Sequence, residues 1–264
     1  MPVVGQPAVD IELVRQATRR FLRAVDALTD DDVAAPCALP GWSRAELVTH
    51  IARNADGLRR LAEGAIRGEV EVQYPGGHSQ RARDIAAGRG ARARAVLVDA
   101  RRAGDALMEA WHAVPDAAWA ATGRTSGGTR TVRETVRLRL REVEVHHVDL
   151  SVGYSPLDWP VSFVGDPLED ALDTLPLRAA PGRPAIDACY RIEATDHGRA
   201  WLVDLEGAAV STGVDDRREV DAVVSGWGCD LLAWLYGRRG TGGTVTASGN
   251  DVTALHLSSW FPYP

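Results

Sequence analysis

Lysine is absent from this sequence, and all 30 of its basic residues are arginine. A lysine amine is the group that forms Schiff bases with carbonyl substrates, so mechanisms that need one are excluded. Cysteine is scarce, since Cys37, Cys189 and Cys229 are far apart and odd in number. They form neither a disulfide framework nor a CxxC metal site, and we interpret them as small apolar residues.

Long apolar runs and a basic surplus are also missing. No stretch approaches the roughly 18–20 apolar residues of a membrane-spanning helix, and the N-terminal segment lacks the basic start and apolar core of a signal peptide. Acidic residues outnumber basic ones by 36 to 30, for a formal net charge of −6, whereas a general nucleic-acid binder has a basic surface. We therefore expect a cytoplasmic protein with no nucleic-acid partner and no membrane partner.

The first part of the chain has the 3.6-residue apolar period of α-helices. A first helix is expected over about residues 9–28. Capping-box spacing, S-x-x-E at Ser43 and T-x-x-E at Thr131, predicts the starts of two more helices. These helices should reach about residues 64 and 152. Another long helix, broken or bent near Gly88 and Gly90, is expected between them. Four long helices joined by loops predict a four-helix bundle.

The pattern changes near residue 156, where prolines become frequent. Strand-like runs are expected at 188–194, 201–205, 222–225 and 244–247, and short helices near 170–175 and 229–236. The predicted fold is therefore a two-domain combination of all-α and α/β parts. A four-helix bundle spans residues 1–155 and a small α/β domain spans residues 156–264.

The fourth long helix carries a carboxylate and an imidazole on one face. Glu142 and His146 are four residues apart, which places them about 40° apart around the helix. Leu138 and Val145 share this face, so it is expected to point into the bundle, where a bare carboxylate and imidazole are costly. Glu144 points the other way, on a face that is expected to be solvated.

The second long helix supplies a third candidate ligand, His50, which shares its face with Leu47 and Asn54. A single E-x-x-x-H pair is more often a surface pair or a satisfied core histidine than a metal site. Together, however, His50, Glu142 and His146 make the two-histidine, one-carboxylate set of catalytic zinc sites, which leaves a fourth position open. The same set also suits iron or another first-row metal.

The sequence leaves several features of this site open. Asp149, one turn after His146, either orients that histidine or is a surface charge at the helix end. Glu46 as a fourth ligand would make the site closed and structural. Asp56 or Asp149 acting as a base beside the metal would instead favour a hydrolase that uses metal-bound water.

Several segments resemble one known family. Residues 39–43 (LPGWS), 47–57 (LVTHIARNADG) and 141–150 (REVEVHHVDL) are similar to the N-terminal metal-binding domain of mycothiol-dependent maleylpyruvate isomerases, which belong to the DinB-like four-helix superfamily. The loop at 74–76, followed by Arg81, is similar too. Because the family has a small α/β C-terminal domain, with a Gly-Arg-rich segment like residues 236–240 (YGRRG), the resemblance covers nearly the whole chain.

The resemblance implies roles for particular residues. The family's metal ligands fall on His50, Glu142 and His146, and the metal is expected to be divalent, with zinc favoured. Its active-site arginine in the C-terminal domain falls on Arg238, with Arg239 as the alternative register. That arginine is expected to face the metal in an active site between the domains.

Two residues of the bundle complete the expected substrate-binding set, together with Arg239. Arg81 is expected to bind a second substrate carboxylate. Asn54 lies on the ligand-bearing face of its helix. The low-molecular-weight thiol mycothiol is expected as cofactor or cosubstrate.

The activity that the resemblance implies is addition of a metal-bound thiolate to an electrophilic substrate, with cis–trans isomerisation of a maleylpyruvate-like compound. The alternatives are a mycothiol S-transferase in detoxification or natural-product biosynthesis, and a metal-binding protein without catalysis. The expected partners are a small-molecule substrate and the thiol. The oligomeric state stays open, with a monomer favoured.

Overall fold

Eight α-helices and seven β-strands make up the part of the chain that the computed structural model describes, which is residues 7–175, 188–205, 209–212, 219–238 and 245–249. The helices are α1 (Ala8–Asp26), α2 (Asp30–Ala34), α3 (Arg44–Arg67), α4 (Gly77–Ala86), α5 (Ala93–Ala113), α6 (Val132–Asp149), α7 (Val161–Thr174) and α8 (Gly228–Leu235). The strands are β1 (Thr122–Thr125), β2 (Gly128–Thr131), β3 (Cys189–Ala194), β4 (Arg199–Asp204), β5 (Ala209–Thr212), β6 (Ala222–Gly226) and β7 (Thr246–Gly249). None of the described helices is long and apolar enough to cross a membrane.

Four helices form the predicted bundle. Helix α3 packs against α5 and α6, and α1 packs against the same two helices from the other side. Phe21, Ile51, Leu107 and Val143 are among the side chains buried between them. Burial of large apolar side chains of this kind stabilises a fold by about 1.5–3 kcal/mol each. The apolar period therefore predicted the bundle correctly.

Capping boxes begin both helices that carry the candidate ligands. In the first, the Ser43 backbone N–H donates to Glu46 Oε2 at 2.9 Å and the Glu46 N–H donates to Ser43 Oγ at 3.3 Å. Thr131 and Glu134 make the same reciprocal pair at the start of α6. Because the caps satisfy backbone donors that have no partner inside the helix, they fix where each helix begins.

The structure adds details to the helical part of the chain. The helix expected before residue 115 is broken near Gly88 and Gly90 and not merely bent, which gives two helices, α4 and α5, and Gly90 between them has a left-handed φ of 78°. The short helix α2 and the β1–β2 hairpin were not predicted. Both hairpin strands are only four residues long, which is too short for an alternating apolar pattern to be recognised.

The chain divides into two compact units, residues 1–154 and 155–264. In the second unit a five-stranded sheet has the order β5-β4-β3-β6-β7, with β3 and β6 parallel and the other neighbours antiparallel. Helices α7 and α8 pack against each other, and α8 packs on β6. The mixed sheet with helices confirms the predicted fold class. Strand β5 was not predicted.

Candidate metal centre

Three polar side chains from two neighbouring helices meet inside the bundle. His50 Nε2, on α3, lies 3.0 Å from Glu142 Oε2 and 3.2 Å from His146 Nε2, both on α6. His146 Nε2 lies 3.7 Å from Glu142 Oε2. In the described part of the chain, this is the one group of three or more His, Cys, Asp or Glu residues with ligand atoms close enough to hold a metal ion.

The spacing of the three ligand atoms fits one metal ion. Ligands bound to zinc at about 2.0–2.1 Å and at the tetrahedral angle lie about 3.3 Å apart. The observed separations of 3.0, 3.2 and 3.7 Å bracket that value. Both histidine side chains are at most 2% exposed, whereas the Glu142 side chain is 22% exposed. The group is therefore buried on the histidine side and reachable from solvent on the carboxylate side.

Asp149 lies where an orienting partner of His146 is expected. Its Oδ2 is 2.8 Å from His146 Nδ1, and both side chains are 1% exposed. An acceptor at Nδ1 favours the tautomer with the proton on Nδ1, so Nε2 keeps its lone pair toward Glu142 and His50. Asp149 is thus buried at the site, not a surface charge.

The surroundings act on the titration of these groups in opposite directions. Burial lowers the pKa of His50 to about 4, more than its hydrogen bond to Glu142 raises it. Burial alone would raise the pKa of Glu142, but the hydrogen bond from His50 and the nearby histidines and Arg141 lower that pKa below its ordinary value. A neutral imidazole and an ionised carboxylate are the forms that bind metal ions.

An arginine and two aromatic side chains surround His50. Arg81, on α4, has a guanidinium nitrogen 3.3 Å from His50 Nδ1, and its guanidinium carbon lies 5.5 Å from the centre of the Tyr74 ring. Trp42 meets the His50 ring edge-on at 5.9 Å. The structure therefore places Arg81 beside His50, one of the three candidate ligands.

Asn54 is also close, and it is held by a residue that we did not predict. Arg139, on α6, is 1% exposed and donates from Nη1 to Asn54 Oδ1 and to the Ile51 carbonyl, both at 2.8 Å. Arg139 precedes Glu142 by three residues, so helical spacing would have placed it on the ligand-bearing face. This spacing can be read from the sequence, but nothing else distinguishes Arg139 from the other arginines among the 30 in the chain.

The prediction of a solvated face is wrong for Glu144, although Arg137 on the same face is exposed. The Glu144 side chain is 0% exposed, and it accepts hydrogen bonds from Tyr154 Oη at 2.6 Å and from the Arg20 guanidinium. Burial raises the pKa of Glu144, against the lowering effect of these two partners. Glu144 is buried because α1 packs against α6, and α1 is separated from α6 by more than a hundred residues, beyond the reach of a local pattern.

Other acidic and imidazole groups near α3 and α6 are engaged elsewhere. His147 stacks on Tyr154 with ring centres 3.8 Å apart. Glu46 accepts from the Ser43 cap and from Arg89 Nε at 3.1 Å. Asp56 pairs with Arg53 at 3.1 Å. None of these acids belongs to the group that could hold a metal among the described residues, so nothing here supports Glu46 as a fourth ligand.

Of the two arginines predicted for the active site in the second unit, Arg238 and Arg239, only Arg238 lies within the described residues. Arg238 follows α8, is half-buried, and donates from Nη1 to the Tyr236 carbonyl at 2.8 Å. Gly237 before it has a left-handed φ of 69°, so the chain turns at this point. Arg239 lies outside the described residues.

Fold and site together define a class of four-helix-bundle protein that has a His-Glu-His group able to hold a metal ion and a second, sheet-containing unit. The family model described as the mycothiol maleylpyruvate isomerase N-terminal domain matches residues 14–151. This match spans more than half of the chain, and the protein belongs to that family.

Two solved structures share the fold. One is the crystal structure of the mycothiol-dependent maleylpyruvate isomerase, with a TM-score of 0.75, 23% identity, and coverage of 94% of this chain and 93% of that chain. The other is a mutant in which one histidine is replaced by alanine, with a TM-score of 0.74, 22% identity and the same coverage. A comparison with curated proteins finds no significant match. At these identities the likeness shows the fold alone.

Proposed function

We propose that this protein is a metal- and mycothiol-dependent isomerase, which converts a maleylpyruvate-like cis compound into its trans isomer. One observation carries the proposal: His50, Glu142 and His146 place three ligand atoms at the separations of one metal site, in a chain of this family. Three protein ligands leave one position open, which is typical of catalytic and not of structural zinc.

The proposed metal is zinc, held by His50, Glu142 and His146. When bound, a divalent ion there would lower the pKa of a thiol that takes the open position. The chain's own contribution is to orient the ligands: Asp149 fixes the tautomer of His146, and burial keeps His50 neutral at pH 7. Because an unbound thiol has a pKa near 8.5 and is mostly protonated at pH 7, such a site would matter for reactivity.

Arg81 and Asn54 are the proposed contacts to the substrate in the bundle. The Arg81 guanidinium lies beside His50 and over Tyr74, where it can offer a two-pronged set of donors to a carboxylate. Asn54 is 4% exposed and lies one helical turn after His50. Thiol addition would saturate the substrate's double bond, rotation would follow, and loss of the thiol would leave the trans isomer.

We further propose that Arg238 binds a substrate carboxylate or stabilises the developing enolate, with Arg239 as the alternative register. Loss of such a contact typically lowers turnover by roughly 10²–10³. Arg238→Ala should therefore lower kcat by about that factor and leave zinc binding intact. If Arg239→Ala has that effect instead, the register is off by one.

The experiment is product analysis of the zinc-loaded protein with mycothiol and maleylpyruvate. An isomerase gives a product of unchanged mass whose formation stops without mycothiol, and mass spectrometry detects it.

The proposed setting is the cytoplasm, where thiols stay reduced.

The matched control is a pair of variants on one helix, Glu142→Ala and Glu144→Ala. Product formation should be lost in the first and retained in the second. A stable thiol adduct of the substrate would identify an S-transferase instead. Zinc binding with neither product would identify a binding protein without catalysis.

A further inference from the structure

Arg139 is a buried charge whose hydrogen bonds go only to neutral groups, while the Glu142 and Asp56 carboxylates favour its charged form from beyond contact distance. The side chain is 1% exposed, and both of its hydrogen-bond acceptors, Asn54 Oδ1 and the Ile51 carbonyl, are neutral. Across the described ranges of the chain, no ion pair of Arg139 is found. Burial lowers the pKa of Arg139 to about 10, so it stays charged at pH 7. A buried guanidinium is costly, and its position calls for an explanation.

The chemistry of the guanidinium determines how the Asn54 amide is oriented. Arginine has N–H donors and no acceptor, whereas an asparagine amide has an accepting oxygen on one side and two N–H donors on the other. Only Oδ1 of Asn54 can therefore face Arg139, as observed. The NH₂ group must point away from Arg139.

Tyr74 is a near neighbour of the Asn54 side chain. Burial raises the pKa of Tyr74, and Arg81 and the nearby Asn54 side chain oppose that rise. A polar donor close to the phenol oxygen has that effect. The segment that contains Gln73 and Tyr74 can approach α3 closely because position 57 is glycine, where a Cβ would lie 2.7 Å from Gln73 Cγ.

The contact is made next to the metal ligands on both helices. Ile51 directly follows His50, and Asn54 is one helical turn beyond it, while Arg139 lies one turn before Glu142. Arg139 thus connects α6 to α3 beside the point where Glu142 meets His50.

We propose that Arg139 is a positioning residue, which fixes Asn54 as a hydrogen-bond donor to a substrate carboxylate beside the metal centre. Tyr74 takes at most one of the two amide N–H groups, and the other is the donor to the ligand. Without Arg139 the amide could turn and present its oxygen, which would repel a carboxylate. The proposal rests on the proposed function for the identity of the substrate.

Three substitutions separate this role from general packing. Arg139→Lys keeps a side chain that can only donate, whereas Arg139→Gln can donate or accept and no longer fixes the amide. Asn54→Asp keeps an acceptor for Arg139 but has no N–H to give. Arg137→Gln is the matched control, since Arg137 is an exposed arginine on the same helix.

The first readout does not depend on turnover. In ¹⁵N-labelled, zinc-loaded protein, the Asn54 NH₂ resonances are assigned by their loss in Asn54→Asp, and maleate is added as a carboxylate probe. Maleate should shift these resonances in the wild type, in Arg139→Lys and in Arg137→Gln, and much less in Arg139→Gln.

The second readout is kinetic. With maleylpyruvate and mycothiol, Asn54→Asp and Arg139→Gln should each raise the KM for maleylpyruvate about tenfold, as for one hydrogen bond to a charged group, with kcat changed much less. Arg139→Lys should restore the KM. In an Asn54→Ala background, Arg139→Gln should raise the KM for maleylpyruvate no further, because Arg139 acts through Asn54.

The outcomes distinguish this inference from the proposed function. If maleylpyruvate is not converted, the proposed function fails, and the maleate titration still decides the role of Arg139. The inference is overturned if maleate leaves the Asn54 resonances unmoved in the wild type, or moves them equally in Arg139→Gln. If Arg139→Gln does not fold, Arg139→Lys and Asn54→Asp carry the test, and an unchanged KM in Asn54→Asp contradicts it.

Discussion

Two glutamates on opposite sides of α6 show how the same side chain is prepared for different tasks. Glu142 faces α3 and meets two imidazole nitrogens, and its pKa is lowered. Glu144, two residues on, faces α1 and accepts hydrogen bonds from Arg20 and Tyr154, and its pKa is raised by burial. The Glu142 side chain is 22% exposed and that of Glu144 is 0% exposed.

The difference lies in the partners and not in the carboxylates. The two imidazoles beside Glu142 can each direct a lone pair at a shared ion, so the three groups together form a ligand set. The partners of Glu144 are a guanidinium, which has no lone pair to offer, and a phenol that donates to it. The first face is therefore suited to bind a metal, and the second face holds α1, α6 and the segment after α6 together.

The largest expected effect is on metal binding and should separate the two faces. Glu142→Ala and His50→Ala should each weaken zinc affinity by more than the roughly 10–100-fold that loss of a ligand's supporting contact costs. Glu144→Ala and His147→Ala should keep close to the wild-type zinc content. Metal analysis after dialysis measures both, and full zinc retention in Glu142→Ala and His50→Ala would remove the assignment.

The next effect is on stability and should run the other way. Glu144→Ala leaves Tyr154 and Arg20 without their acceptor, and breaking a buried ion pair costs about 3–5 kcal/mol. We expect about 3 kcal/mol, because Arg20 is 28% exposed and can be rehydrated. Urea unfolding of the metal-free protein measures the loss, with Arg137→Ala on the same helix as the control. A loss below about 1 kcal/mol would mean that this face is not a structural contact.

A smaller effect is expected from Asp149. Asp149→Asn removes the negative charge beside His146 Nδ1 but keeps the size of the side chain. Zinc affinity should fall by about 10–100-fold, less than on loss of a ligand. Competition with a chelator of known affinity measures the change, and an unchanged zinc affinity would show that Asp149 does not orient His146.

The smallest effect is the pH dependence of stability. Because the pKa of Glu144 is raised on folding, its contribution to stability falls as pH rises above its unfolded value of 4.5. Because the pKa of Glu142 is lowered, its contribution is present above 4.5 and is lost as pH falls. In metal-free protein, the cost of Glu144→Gln should therefore shrink as pH rises from 4.5, and the cost of Glu142→Gln should shrink as pH falls below it. Parallel pH profiles of the two variants would contradict the opposite shifts.

The sequence predicted that Glu142 and His146 lie together on one interior face of α6 because that face follows from helical geometry. Glu142 and His146 are four residues apart, and His50 stands seven residues after the Ser43 cap that sets the start of its helix. These spacings of four and seven residues are short, so a local sequence pattern predicts them. The predicted four-helix bundle, in which both helices turn these faces inward, accounts for the contact between α3 and α6.

The features that were missed depend on distant partners. Glu144 is buried by Arg20, 124 residues earlier in the chain, and nothing near Glu144 indicates that contact. Arg139 contacts Asn54 across 85 residues. Its position three residues before Glu142 placed it on the interior face, but a surface charge is the usual state of an arginine.

The proposed metal site is tested most directly by zinc K-edge X-ray absorption on the protein loaded with one equivalent of zinc, in the wild type and in Glu144→Ala. We expect two imidazole nitrogens and one carboxylate oxygen from the chain, with zinc bound at about one ion per chain and the same ligand set in both proteins. Loss of that ligand set in Glu144→Ala, a third imidazole ligand, or sulfur from a cysteine in the zinc shell would contradict it.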